Sequence, residues 1–333
     1  MVSLKDVAQL AEVSIMTVSR ALNNPDKLSE KTYLKVKQAI EQLGYVPNFA
    51  AQNIRGSAGK TIGVFSLGTA TTPFSVDILL AIEKTVRKFG WHSYVINTFE
   101  NDETEMEQAV EQLISHRPNA VIIARNGLKT VKIPEKLRQF PIALANCVTD
   151  DFPLASYIPD DFQGQYDIGK LLAEKGYKKP LFLHIPHNYI ATKERKAGFE
   201  QAFLTQSLEN KIKTDYYFMQ EDGENYFEGA KPLMEMLLHQ KKLDYDVVVC
   251  GNDRIAFVVY QLLLRYGYRI PEDIAVTGYD NTIGIAHLFI PSLTTIELPH
   301  YTMGEQAALH LIEERQDVDC HKLPCPLVIG DSC

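Results

Sequence analysis

The sequence predicts an α/β protein with a small helical head and a two-lobed core of parallel sheets, and three observations carry that prediction. Residues 4 to 24, LKDVAQLAEVSIMTVSRALNN, space their apolar side chains for two short helices meeting at a tight turn. From Thr61 onward, β-branched runs alternate with amphipathic stretches, and the alternation occurs in two successive sets. Carboxylates and amides recur just past the ends of those runs, where open α/β sheets gather their ligands.

In the head, Leu4, Val7, Ala8 and Ala11 fall at i, i+3, i+4 and i+7, giving a first helix one apolar stripe, and Ser3 with Asp6 supplies a capping box at its start. Ser14 caps a second helix. Val18, Ala21 and Leu22 are expected to pack inward, leaving Ile15, Met16, Thr17, Ser19 and Arg20 on its other faces. Two helices and a turn in about twenty residues match the helix-turn-helix, whose second helix enters the major groove of DNA. The competing reading is a hairpin that only packs on the rest of the chain. NNPDKLS then reads as a loop, and Ser29 caps a third helix, EKTYLKVKQAIEQL, with Leu34, Val36, Ile40 and Leu43 contributing an inward face and Gly44 ending it.

Charge is distributed to match. The formal net charge is -8, yet residues 1–60 hold eight Lys and Arg against five Asp and Glu, which leaves +3 there and -11 on the remainder. Only the amino-terminal piece suits phosphates. The 333 residues, 45% hydrophobic, suffice for sizeable cores in two or three domains. Five cysteines (Cys147, Cys250, Cys320, Cys325 and Cys333), an odd number without a CxxC pair, point to reduced thiols and a cytoplasmic location. No signal peptide and no apolar run of membrane-spanning length is recognisable, so no membrane partner is expected.

Between head and core, YVPNFAAQNIRG offers Pro47 as a break and Asn48 as a cap for one short helix that would be unstable alone. Taken by itself, this segment serves equally as a plain linker with Ile54 packed on the core or as a functional helix presenting Ile54 as a wedge. GSAGKT follows, ending like a phosphate-binding loop. The first Gly of that motif would have to stand at Ile54, and the run precedes a strand instead of following one, so the phosphate-loop reading fails.

The first set of core elements is TIGVFSL, helix SVDILLAIEKTVRKFG, WHSYVINT, helix TEMEQAVEQLISH, AVIIAR, PIALANC and SYIPDD. The second is KPLFLHI, helix KERKAGFEQAFL, DYYFM, helix YFEGAKPLMEMLLHQ, DVVVCG, helix DRIAFVVYQLLLRYG and IAVTGYD. PSLTTIELPH and the helix GEQAALHLIEER are expected to return to the first lobe, with PLVIGDSC closing the second. The crossing connections leave a cleft between lobes. Past the strand ends stand Asn146, Asp160, Asp161, Asn252, Asp253, Asp280 and Asn281, and Arg195 enters a helix of the second lobe. Carboxylates accept pairs of hydroxyl hydrogens while Arg and Asn donate, so this inventory suits a polyhydroxylated ligand, with Phe74 and Phe289 as aromatic faces for a sugar ring. Any one of these residues could equally cap a helix or turn the chain; it is their convergence that points to a ligand. His184 and His187 in HIPH, and Cys320, His321 and Cys325, lie at no standard zinc spacing, and no G-x-S-x-G occurs. No metal, cofactor or catalytic residue is expected.

The pattern A-x-x-A-x-V-S-x-x-T-V-S-R-x-L-N from Ala8 to Asn23, with GND at 251–253, VTGYDN at 276–281 and PSLTTI at 291–296, resembles the LacI/GalR family of bacterial transcription regulators over the length of the chain. One departure is Glu12, at a turn position usually filled by Gly or Asn, where a left-handed backbone is less comfortable for Glu. The resemblance implies a headpiece at 1–46, a hinge helix and linker at 47–60, and a periplasmic-binding-protein-like effector and dimerisation core at 61–333. Its first lobe would comprise 61–160 and 291–319, its second 162–288 and 320–333.

It further implies DNA contacts from Leu4, Ser14, Ile15, Met16, Thr17, Ser19, Arg20 and Asn23 in the first two helices. Lys27, Ser29, Thr32 and Tyr45 follow around the third helix, with Asn48 and Ile54 in a hinge helix whose lever, Ile54, wedges into the minor groove. Effector contacts are implied for Arg195, Asn252, Asp280 and Asn146, and His300 falls where an aromatic contact is common; Phe74, Asp160 and Phe289 complete the candidate set. Runs such as TATTPFSVDILLAIE, LANCV and SYIPDD resemble a sucrose-responsive branch, implying sucrose or its fructose moiety as effector. The expectation is a sequence-specific repressor of double-stranded operator DNA. It would be a homodimer in which Leu79, Ile82, Val86 and Phe89 contribute to the interface, with no heptad tail after Cys333 to make tetramers. A family member using a corepressor such as a purine, and a sugar-processing α/β enzyme, are the alternatives.

Overall fold

The computed structural model describes residues 2–46, 60–71, 75–99, 102–206, 214–220, 226–239, 243–282 and 285–333. The chain divides into two compact units, Met1–Lys60 and Thr61–Cys333. In the first, α1 (Leu4–Leu10) opens with the Ser3/Asp6 capping box, and α2 (Ile15–Asn23) is capped by Ser14, whose side chain accepts from the Thr17 N–H. The turn between them passes through Glu12 at φ 50°, and the Glu12 carboxylate pairs at 2.8 Å with Lys35 on the third helix. Glu12 thus adopts the left-handed conformation that the turn demands. α3 (Glu30–Leu43) runs from its Ser29 cap to Gly44 at φ 59°. Val7, Ala8, Ala11, Val18, Ala21, Val36 and Ala39 form the small core. Leu34, expected inward, is 48% exposed, because the buried stripe of α3 runs through Val36 and Ala39 and a residue two before Val36 lies on the opposite side of the helix.

The second unit holds two parallel sheets. The first has six strands in the order β11-β5-β4-β3-β1-β2: β1 (Thr61–Leu67), β2 (His92–Thr98), β3 (Ala120–Thr130), β4 (Ile142–Val148), β5 (Ser156–Pro159) and β11 (Cys320–Leu323). Its central strands are buried on both faces, as parallel strands must be, and α4 (Val76–Lys88) packs with α10 (His300–Ile312) on one face while α5 (Glu103–Ser115) lies on the other. Ile82 and Val86 of α4, expected at a dimer interface, are enclosed in this core, and Gly304 on α10 lets the helices approach until a Cβ there would lie 2.2 Å from the Ile78 carbonyl oxygen. The exposed apolar residues of this region are Val76, Leu80 and Phe89.

The second sheet has the order β7-β6-β8-β9: β6 (Pro180–His184), β7 (Asp215–Phe218), β8 (Val247–Cys250) and β9 (Ala275–Thr277). α6 (Asp161–Glu174), α7 (Ile190–Gln206), α8 (Tyr226–His239) and α9 (Asp253–Arg265) surround it. α6 is absent from the elements the sequence suggests, since Gly164 and Gly169 weaken its helical signal. Those glycines serve close packing: a Cβ at Gly169 would lie 3.1 Å from the Phe199 carbonyl oxygen of α7.

Two lobe assignments are corrected. β11 pairs with β5 in parallel, Cys320 opposite Ser156 through Leu323 opposite Pro159, so 320–323 belong to the first lobe. β10 (Thr295–Ile296) instead continues the second sheet through bridges Thr277–Thr294 and Asp280–Glu297 and pairs antiparallel with β12 (Leu327–Val328), so the PSLTTI run belongs to the second lobe. These crossings bring both lobes to one cleft.

Candidate functional site

Within the headpiece, Ile15 is 46% and Met16 69% exposed at the start of α2, Arg20 is exposed, and Arg20 Nη2 lies 3.8 Å from Met16 Sδ. Thr17 and Ser19 are half-buried. The Ser14 and Ser29 hydroxyls cap their helices and pair with Thr17 and Thr32 at 2.9 and 2.8 Å, and Lys27 is exposed at the end of a short turn, Pro25–Lys27. An exposed helix carrying two apolar side chains and one Arg can offer contact to thymine methyls and a bidentate donor to guanine. Leu4 and Tyr45 have packing roles: Leu4 leans on the headpiece core and Tyr45 is buried within it, so neither is one of the exposed residues of this surface. The Asn23 side chain, and all of Asn48, Ile54 and Phe74, lie outside the described residues.

In the core, a cavity of about 260 Å³ lies between the lobes. That is slightly below the roughly 300–1,000 Å³ of drug-sized ligand sites and suits a small molecule. The first lobe and its crossings supply Asn146, Pro159, Leu298 and His300, and the second supplies Asp161, Arg195, Asn252 and Asp280. Arg195 organises the polar side. Its Nε donates to Asp161 Oδ1 at 2.7 Å, its Nη1 donates to the Gly251 carbonyl at 2.7 Å, and its guanidinium lies 3.6 Å from the centroid of the Tyr279 ring. Both charges are buried, Arg195 to 4% and Asp161 to 1% exposure, so the pair is fixed in place. Arg195 Nη2 is also 4.0 Å from Asp280 Oδ1.

The remaining candidates are held by the backbone. Asn252 caps α9, its Oδ1 accepting from the Ile255 N–H at 2.9 Å, so its amide N–H groups are the donors of that side chain toward a ligand. Asn146 and Asp280 adopt φ 58° and 108°, conformations uncommon for residues with a Cβ, and Asn146 Nδ2 donates to the Arg125 carbonyl at 3.1 Å. Burial pushes the Asp280 carboxyl up to about 8, against the pull of Arg195. Burial and the Arg195 charge hold His300 down to about 4, leaving a neutral imidazole able to donate and accept one hydrogen bond each.

Two candidates are misplaced in the sequence reading. Asp160 does not line the cavity: its Oδ1 accepts from the Gln163 N–H as the cap of α6, and it is the next residue, Asp161, that reaches Arg195. Phe289 is buried in the core of the second lobe, edge-on to Tyr260 at 4.8 Å, and offers no face to a sugar. Of the other polar residues past the strand ends, Asp253 ties loops together, accepting from Thr295 Oγ1 at 2.6 Å and the Thr282 N–H at 2.7 Å, and Asn281 donates to Glu297. Among the described residues, the tyrosines lining the cavity are Tyr189 and Tyr226, accompanied by Arg254. Tyr189 stands in the loop after strand β6, farther past its strand end than the polar residues are past theirs. Among the described residues, no group of three or more His, Cys, Asp or Glu is arranged to hold a metal, and no helix is long and apolar enough to cross a membrane.

An exposed recognition helix in one unit and a polar, ligand-sized cleft between two parallel-sheet lobes in the other define a ligand-binding transcription regulator. Residues 3–48 match the model of bacterial regulatory proteins of the lacI family, and residues 60–330 that of periplasmic binding proteins and the sugar binding domain of the LacI family. The chain belongs to the LacI family and is a DNA-binding repressor with a sugar-binding domain. It is 46% identical over 331 residues to the sucrose operon repressors of Shigella flexneri and Escherichia coli, with 99% of each chain covered. It is 30% identical to the HTH-type transcriptional repressor PurR of Mannheimia succiniciproducens, covering 95% of this chain and 92% of the relative. Among solved structures, the lac repressor dimer bound to operator and the anti-inducer ONPF aligns with a TM-score of 0.83 at 26% identity, covering 99% of this chain and 98% of the other.

Proposed function

We propose that this protein represses a sucrose utilisation operon as a homodimer on double-stranded operator DNA, and that sucrose or its fructose moiety in the cleft releases it. The observation that carries the reading is the convergence of Asp161, Arg195, Asn252, Asp280 and Asn146 on one cavity, a mixture of acceptors and donors matched to a polyol. The 46% identity to two sucrose operon repressors supports the choice of sugar. Sugar binding and DNA binding are then linked by a coupling free energy, typically about 1–3 kcal/mol per effector.

A second reading, a purine corepressor that strengthens DNA binding, is favoured by one feature: two tyrosines line the cavity, and a flat base prefers aromatic walls. A gel shift with a palindromic operator, titrated with sucrose, fructose, glucose and a purine panel, separates the two. Release by sucrose or fructose supports the proposal, tightening by a purine supports the second reading, and a complex that no sugar releases refutes the inducer assignment.

A further inference from the structure

The aromatic side of the cleft is assembled from both lobes. Tyr189 belongs to the second lobe, in the loop between β6 and α7, yet its surroundings come from β3 of the first. Gly127 takes φ 76°, and a Cβ there would lie 2.6 Å from Tyr189 Cε1, so the ring rests where only glycine leaves room. Lys129 places its ammonium 4.3 Å from the centroid of the same ring, within cation–π range. Leu128 and Ile158 of the first lobe join Ala191 of the second in the apolar cluster on which Tyr189 packs. The ring is therefore braced on one side by Lys129 and still lines the cavity. Tyr189 immediately precedes α7, six residues before Arg195 within that helix, and both side chains line the cavity.

We propose that Tyr189, seated on Gly127 and braced by Lys129, is the specificity-determining wall for the second ring of a disaccharide, and that it exists only while the two lobes are together. This rests on the sugar reading above. It divides the cleft into a polar subsite, built on Arg195 and Asp280, for one ring, and an aromatic subsite for the other, since the apolar face of a pyranose or furanose packs on a tyrosine ring. A single-ring sugar then gains little from Tyr189, whereas sucrose gains the whole contact.

Calorimetric titration of the full chain with sucrose, fructose and glucose tests this. The wild type is expected to bind sucrose more tightly than either monosaccharide. Tyr189→Ala should lower sucrose affinity about tenfold while changing that of the bound monosaccharide less than about twofold. Tyr189→Phe, which keeps the ring, should retain the preference. Gly127→Ala, which drives a Cβ into the ring without touching the polar subsite, should reduce it as Tyr189→Ala does. Equal affinity of the wild type for sucrose and monosaccharides overturns the proposal, as does a Tyr189→Ala loss shared equally by both sugar classes or absent for sucrose. Failure of every sugar to bind the wild type refutes the sugar reading itself and removes the proposal with it.

Discussion

Replacing Arg195 with Met removes the cation from the centre of the cleft and leaves a buried carboxylate behind. Asp161 is 1% exposed, its Oδ1 depends on Arg195 Nε at 2.7 Å, and its Oδ2 has no hydrogen-bond partner among the described residues. The Gly251 carbonyl loses its donor as well. Breaking a buried ion pair by removing one member costs about 3–5 kcal/mol, because the surviving charge cannot reach water. For a unit somewhat above 250 residues each kcal/mol lowers Tm by about 2–4 °C, so Arg195→Met should melt roughly 6–20 °C below wild type. Calorimetry of the full chain measures this. The companion Asp161→Asn/Arg195→Met replaces the orphaned charge with a neutral amide and should recover at least half of the loss. A single-variant penalty below about 1 kcal/mol, or a double variant no more stable than the single, refutes the view that this pair is a fixed structural anchor that also faces the ligand.

Three further outcomes follow from the same geometry. Arg20→Ala should relax the base preference of operator binding, whereas Lys27→Ala, exposed beside the headpiece helices, should weaken all sequences alike and reduce the salt slope by about one; competition binding at several salt concentrations distinguishes them. Asp280 holds its proton up to about 8 in the fold but only to about 4 when unfolded, so the folded state carries the extra proton between those values and stability falls as pH rises through the window. Asp253, pushed up to about 6 by burial, acts with the same sign below pH 6, and His300, held to about 4, acts oppositely between 4 and its ordinary value near 6.5. Between pH 6.5 and 8 the Asp280 contribution stands alone among these three, and thermal melts there should flatten in Asp280→Asn; an unchanged slope contradicts the burial of that carboxyl. Gly198→Ala would set a Cβ 2.2 Å from the Phe162 carbonyl oxygen, where neither helix backbone can yield cheaply, and should destabilise by about 1–3 kcal/mol in a denaturant titration.

The headpiece was legible in the sequence because its determinants are local: caps three residues apart and apolar stripes at helical spacing, all found in α1 to α3. Leu34 misled because a helix stripe is an angular property and any leucine nearby looks like a member. The parallel core was equally legible in its long, buried strands. Its lobe membership was not, since β10 has two residues and β11 four, and the partner of so short a strand is chosen by the chain crossing and not by its own pattern. In the cleft, Arg195, Asn252, Asp280, Asn146 and His300 were found by their position past strand ends and by family resemblance. Asp160 and Asp161 are adjacent with identical side chains, and only the register of α6 decides which caps the helix and which turns to Arg195. Phe289 is buried where its sequence context suggests a sugar contact, and Tyr189, which the sequence does not single out, lines the cavity, because burial is set by what surrounds a side chain far away in the chain.

The reciprocity of sugar and DNA binding tests the central claim most directly. Operator affinity is measured by fluorescence anisotropy with and without saturating sucrose, and sucrose affinity by calorimetry on the free protein and on its operator complex. If one chain couples the two sites, sucrose weakens operator binding by some factor and operator weakens sucrose binding by the same factor, as linkage requires. Sucrose affinity that is identical for free and operator-bound protein contradicts the account.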